Sequence, residues 1–238
     1  MSQYPYRGEQ PAWIDGRTAD TAVREREFIR SVYLWMFMGL MVTAAAALWV
    51  VSSPQMQQLV FGTPLRWVVI FAPLGLSLFL GVRITKMSPG AAITTFLLFS
   101  ALMGLSLSSI FFVYTATAIY QAFFTAAGMF GAMSVYGMVT KRDLTSVGSF
   151  MFMGLIGIII CSVINIFLKS PALGFAISFI GVFVFLGLTA YDTQKLKAYA
   201  TAPELRTNLA VFGALALYLD FINLFLMLLR LFGGGDRR

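Results

Sequence analysis

MSPGAAITTFLLFSALMGLSLSSIFFVYTATAIYQAFFTAAGMFGAMSVYGMVT, residues 87–140, contains no charged side chain. At a helical rise of about 1.5 Å per residue the run would extend about 80 Å, and a bilayer core is only about 30 Å thick. It must fold back once. The more polar VYTATAIYQ near its middle is where the turn belongs, which gives two spans at about 90–112 and 117–139.

The same ruler extends outward in both directions. Upstream, one span fits between Arg30 and Arg66 at about 31–51, followed by the polar turn SSPQMQQ, with Trp35 and Trp49 suited to aromatic belts near its ends. A shorter one follows at about 67–82, with Pro73 inside it, and stops at Arg83 and Lys86. Downstream lie spans at about 145–168, 171–191 and 207–230. Lys141-Arg142-Asp143, Lys169-Ser170-Pro171 and the polar DTQKLKAYATAPELRTN bound them. The fold class is therefore an all-α integral membrane protein: a cytoplasmic N-terminal tail over 1–30, a seven-helix membrane domain over 31–232 and a short tail over 233–238. The N-terminal tail lacks the apolar core of a cleaved signal peptide and turns helical near TADTAVREREFIR.

Composition agrees. Hydrophobic residues make up 59% of the 238 and charged ones only 11%, a balance foreign to soluble domains. The net charge of +7 comes from basic residues scattered between apolar runs, which excludes a nucleic-acid surface and reads as topology. With the N-terminus cytoplasmic, twelve Lys and Arg fall inside (Arg7, Arg17, Arg24, Arg26, Arg30, Arg83, Lys86, Lys141, Arg142, Lys195, Lys197, Arg206). Five fall outside (Arg66, Lys169, Arg230, Arg237, Arg238). Small residues recur in the fourth to sixth spans (Gly128, Gly131, Gly137, Gly154, Gly157, Gly174, Gly181, Gly187), as close helix packing in lipid requires.

The chemistry available is narrow. No histidine is present, which removes the usual general base and metal ligand, and the single Cys161 permits no intrachain disulfide. Of the ten acids only Asp192 and Asp220 can reach membrane depth. Asp220 lies about 13 residues into the seventh span, where an ionised carboxylate costs on the order of 3 kcal/mol unless paired, protonated or wetted. It must face the bundle interior, with Asn223 on the same helical face. Asp192 closes the sixth span in GLTAYDTQKLK. By spacing alone it is equally well a helix end neutralised by Lys195 three residues on or, if the helix continues and turns near Ala202-Pro203, a partner for Asp220. Two carboxyls within reach would share a proton. Arg83 needs no role beyond anchoring, but could snorkel toward a carboxylate.

At these positions the chain resembles the transmembrane Bax inhibitor motif family, also called the Bax inhibitor-1 family. AYDTQKLK (190–197) is similar to the family's aromatic-Asp-Thr-Gln signature, and LYLDFINLFLMLLRLFG (217–233) to its last helix. The resemblance covers about 30–232 and implies a bundle with the last helix central, acting as a pH-sensitive calcium leak without enzymatic activity or a bound cofactor. It implies a gate in which Asp192 and Asp220 share a proton and Arg83 engages an aspartate on opening. Calcium would be permeant or only weakly held by Asp192 and Asp220. Where the eukaryotic branch often has a further acid this chain has Ala216, and its first two spans hold none, far from the 6–8 oxygens of tight calcium sites. The tails look bacterial, so the resemblance implies an inner-membrane placement with the lipid bilayer, calcium and protons as partners. Some bacterial members are linked to a membrane-anchored AAA protease as non-conducting modulators. A third reading, an intramembrane aspartyl protease, needs two aspartates sharing a proton and Gly-x-Gly-Asp at the second, where the residues are Leu217-Tyr218-Leu219-Asp220.

Overall fold

The computed structural model of the protein describes residues 12–200 and 206–234. Within them the order is α1 (Ala12–Ser52), α2 (Pro54–Phe61), α3 (Leu65–Arg83), a single 3-10 turn (Ile84–Lys86), α4 (Pro89–Leu107), α5 (Ile110–Val113), α6 (Ala116–Val139), α7 (Thr145–Leu168), α8 (Pro171–Tyr199) and α9 (Arg206–Phe232). No strand occurs among the described residues, and seven of these helices are long and apolar enough to cross a membrane.

Ser-Pro steps punctuate the chain. Ser53, Ser88 and Ser170 each precede a proline at the first helical position, and each side chain accepts from an amide in the first turn, of Met56, Ala91 and Leu173. The hydroxyl caps an orphan donor and the proline costs nothing there. The turn from α7 to α8 is only Lys169-Ser170, with Lys169 left-handed at φ 50°, the tight form of a helix C-terminus.

Three boundaries differ from those expected. First, α1 is unbroken from Ala12, so the division at residue 30 does not interrupt the backbone; residues 1–11 lie outside the described residues. Second, α8 does not stop at residue 191 but runs on to Tyr199. No glycine or proline occurs from Leu188 to Ala202, so nothing local breaks the helix where its apolar character fades. The expected Ala202-Pro203 turn and residues 235–238 lie outside the described residues. Third, the polar turn after the first span is itself a helix, α2, whose Val60 joins Val50 and Val69 in a small satellite core.

The last helix is the axis, buried along most of its apolar length, whereas α7 is almost wholly exposed along its own. It packs against α1, α4, α6 and α8. Glycine permits the closest approaches, as at Gly104 of α4, whose added Cβ would lie 2.8 Å from Ala46 Cβ of α1. Gly128 and Gly131, expected to pack, instead face outward with nothing within 4 Å. Large exposed side chains such as Phe71, Leu78, Phe150, Ile159 and Phe167 cover the outside, as a lipid-facing surface does.

Candidate functional site

Ala216, Asp220 and Asn223 fall at i, i+4 and i+7 along α9, while Leu188, Asp192 and Lys195 do the same along α8. The two stripes face each other across a cavity of about 490 Å³, closed on a third side by Gly148, Ser149, Phe152 and Leu155 of α7. The structure thus brings Asp192, Asp220 and Asn223 to one space, with Lys195 beside them. Continuation of α8 past residue 191 is what allows this, because it sets Asp192 about 10 Å inside the helix end. Arg83 is not brought there: it is exposed at the end of α3 and does not line the cavity.

Asp220 is 5% exposed, and its Oδ2 is buried with no hydrogen-bond partner. The charge that reaches it is that of Asp192. Asp192 is half-buried and feels Lys195 in turn. The Lys195 ammonium lies 5.6 Å from the centre of the Tyr191 ring and 5.7 Å from that of Tyr199. Asn223 donates to Leu219 O at 2.8 Å within its own helix. Among the described residues no group of three or more His, Cys, Asp or Glu could hold a metal ion, so two carboxyls are the acidic ligands a cation would meet.

The rest of the 190–197 signature is a clamp, which spacing alone did not disclose. Gln194 accepts from Leu144 N at 2.9 Å and donates to Arg142 O at 2.8 Å, fastening α8 to the α6–α7 turn. Lys197 donates to Met138 O in the last turn of α6, the carbonyl end where a cation is favoured. Thr193 meets the Tyr33 hydroxyl at 3.4 Å. In the same turn Asp143 accepts from Thr145 N at 2.8 Å and Thr145 Oγ1 at 2.6 Å, bonds that hold its carboxyl below the ordinary value, the side-chain bond first. Asn208, at the start of α9, donates to Ile84 O at 2.6 Å and Met87 O at 2.8 Å. The basic turns around residues 83–86 and 141–142 are in this way bound to the last turns of α8, which carry Lys195 and Lys197, and to the first turn of α9, at one end of the bundle.

Known proteins share much of this sequence. A sequence model of the family described as inhibitor of apoptosis-promoting Bax1 matches residues 25–237. An inner membrane protein of Escherichia coli, YbhL, is 50% identical over an alignment of 212 residues that covers 87% of this chain and 91% of that protein. An uncharacterized protein of Rickettsia prowazekii is 44% identical over an alignment of 211 residues that covers 87% of this chain and 89% of that protein. One of Deinococcus radiodurans is 38% identical over 231, covering 96% and 98%.

Proposed function

The chain belongs to the Bax inhibitor-1 family, and from that premise we propose that it is a pH-sensitive calcium leak of a bacterial inner membrane, gated by Asp192 and Asp220. The observation that carries this reading is the buried Asp220 carboxyl, whose Oδ2 has no partner in a cavity that Asp192 also lines. An orphaned carboxyl at this depth is too costly to be structural filler. With one proton between the pair, α8 and α9 stay together and the path is shut. Without it, two negative charges repel at low dielectric, and the helices part or a cation enters to neutralise them. The two carboxyls supply at most four oxygens, short of the 6–8 of a tight site, so calcium binds weakly and passes.

Calcium entry into vesicles carrying the purified protein, followed across a pH series, tests the reading. Asp220→Asn preserves side-chain volume and hydrogen-bonding capacity while deleting the titration. It should fold and lose most of the pH dependence. Entry that titrates in the variant as in the wild type would remove Asp220 as the sensor, and a wild-type protein that passes no calcium at any pH would overturn the leak.

A further inference from the structure

The cavity is larger, and its walls are of a different kind, than a calcium ion calls for. Its volume of about 490 Å³ lies in the range of sites for small organic molecules, roughly 300–1,000 Å³. Five aromatic rings line it, those of Phe152, Phe185, Tyr191, Tyr199 and Phe212, together with several leucines. Calcium wants oxygens. Aromatic faces attract organic cations instead, and the protein's own cation behaves so: Lys195 sits over Tyr191 and Tyr199 at the distances of such contacts.

Farther along the same space the unpartnered Oδ2 of Asp220 has no cation of its own. Access follows from the packing. The wall formed by α7 belongs to the least buried of the seven spans, and it packs on α8, with Phe152 of that wall 58% exposed. The α7 side of the cavity is therefore the side nearest the surface that faces lipid. An acyl chain could fill the volume but would leave Asp220 unanswered. An ammonium group on an apolar body satisfies both the carboxylate and the rings.

We propose that the cleft between α7 and α9 binds lipophilic organic cations, the ammonium taken by Asp220 and the apolar body by the surrounding rings. The inference shares its cavity with the calcium reading but does not require conduction.

Radiolabelled benzyltrimethylammonium and its neutral hydrocarbon isostere, neopentylbenzene, form a suitable probe pair. Equilibrium dialysis would use the full chain in lipid nanodiscs, with empty nanodiscs as the blank. Saturable binding is expected, weakened at least about tenfold by Asp220→Asn because an ion pair loses one member. Lys195→Gln should strengthen it severalfold by removing the resident cation, and excess neopentylbenzene should displace little of the label. Binding no greater than to empty nanodiscs, equal binding by Asp220→Asn, or full displacement by the neutral isostere would each overturn the proposal. The last comparison is made on the wild type and needs no variant to fold. Asp220-dependent binding in a protein that passes no calcium would sustain this inference and sink the leak; calcium entry without such binding would do the reverse.

Discussion

The Thr43 hydroxyl has carbonyl oxygens of Gly39 and Ser100 at 2.9 Å each, and the Tyr218 hydroxyl at 2.6 Å. Its single hydrogen is taken by the carbonyls, so Tyr218 must be the donor of the third contact. That assignment separates two substitutions of the same pair. Tyr218→Phe leaves Thr43 its carbonyl bonds and should cost about 1 kcal/mol or less, in keeping with side-chain hydrogen bonds between membrane helices. Thr43→Val strands a fully buried phenol between Phe96 and Phe99 and should cost about 2 kcal/mol. Reversible unfolding in mixed detergent micelles measures both, and the reverse order would make Thr43 the donor. The sequence displays Asp220 plainly, since a lone carboxyl in an apolar run has one physical explanation. It conceals the Thr43–Tyr218 pair, because a hydroxyl on each of two distant helices carries no spacing that ties them.

Helix ends, more than helix faces, decide how the site is held. Gln194 grips both the Leu144 amide and the Arg142 carbonyl, so Gln194→Ala should free the α6–α7 turn. Gln194→Glu keeps only the acceptor. Hydrogen exchange at the Leu144 amide should accelerate at least about tenfold in the alanine variant, the loss of one such bond, and much less in the glutamate variant. Asp143 adds a pH dependence of its own at this turn. Its folded carboxyl titrates below the ordinary value because Thr145 donates to it, so the support it gives α7 is complete above about pH 4 and is lost as pH falls through the lower folded value. Protection of the Thr145 amide should drop in that acid range, and Asp143→Asn should lack the transition; an unchanged profile in the variant would assign the acid effect elsewhere. These clamps were illegible beforehand. Charge counting located the turn at 141–143 as a boundary, but Gln194 is uncharged and its partners lie about fifty residues away on the backbone. The same limit explains why spacing left two endings of α8 open, at residue 191 or beyond it, until the structure carried the helix to Tyr199. Hydropathy marks where a helix leaves the apolar layer, not where its hydrogen bonds stop.

At the scale of the whole bundle the number of crossings was legible because membrane thickness is a fixed ruler; the charge-free run from Met87 to Thr140 admits one fold-back and no other count. Which helix is central was not readable from hydropathy alone, since α9 is no more apolar than α7, yet one is the buried axis and the other the periphery. In lipid the outward face is as apolar as the core, so amphipathic patterning gives no direction and only the polar residues Asn208, Asp220 and Asn223 mark an inward stripe. Sidedness is a separate matter. Asn208, Gln194 and Lys197 bind the basic segments at 83–86, 141–142 and the end of α8 into one end of the bundle, and positive charge is retained on the cytoplasmic side. That end, with the N-terminus, should be cytoplasmic and the C-terminus outside. The seven spans are odd in number, so the two termini must differ. A reporter active only in the cytoplasm should give signal when fused ahead of Met1 and none when fused after Arg238; signal from both fusions would mean that one of the seven helices does not cross, and α3, the shortest of the spans with Pro73 in its interior, would be the first to re-examine by accessibility labelling at Arg66 and Arg83.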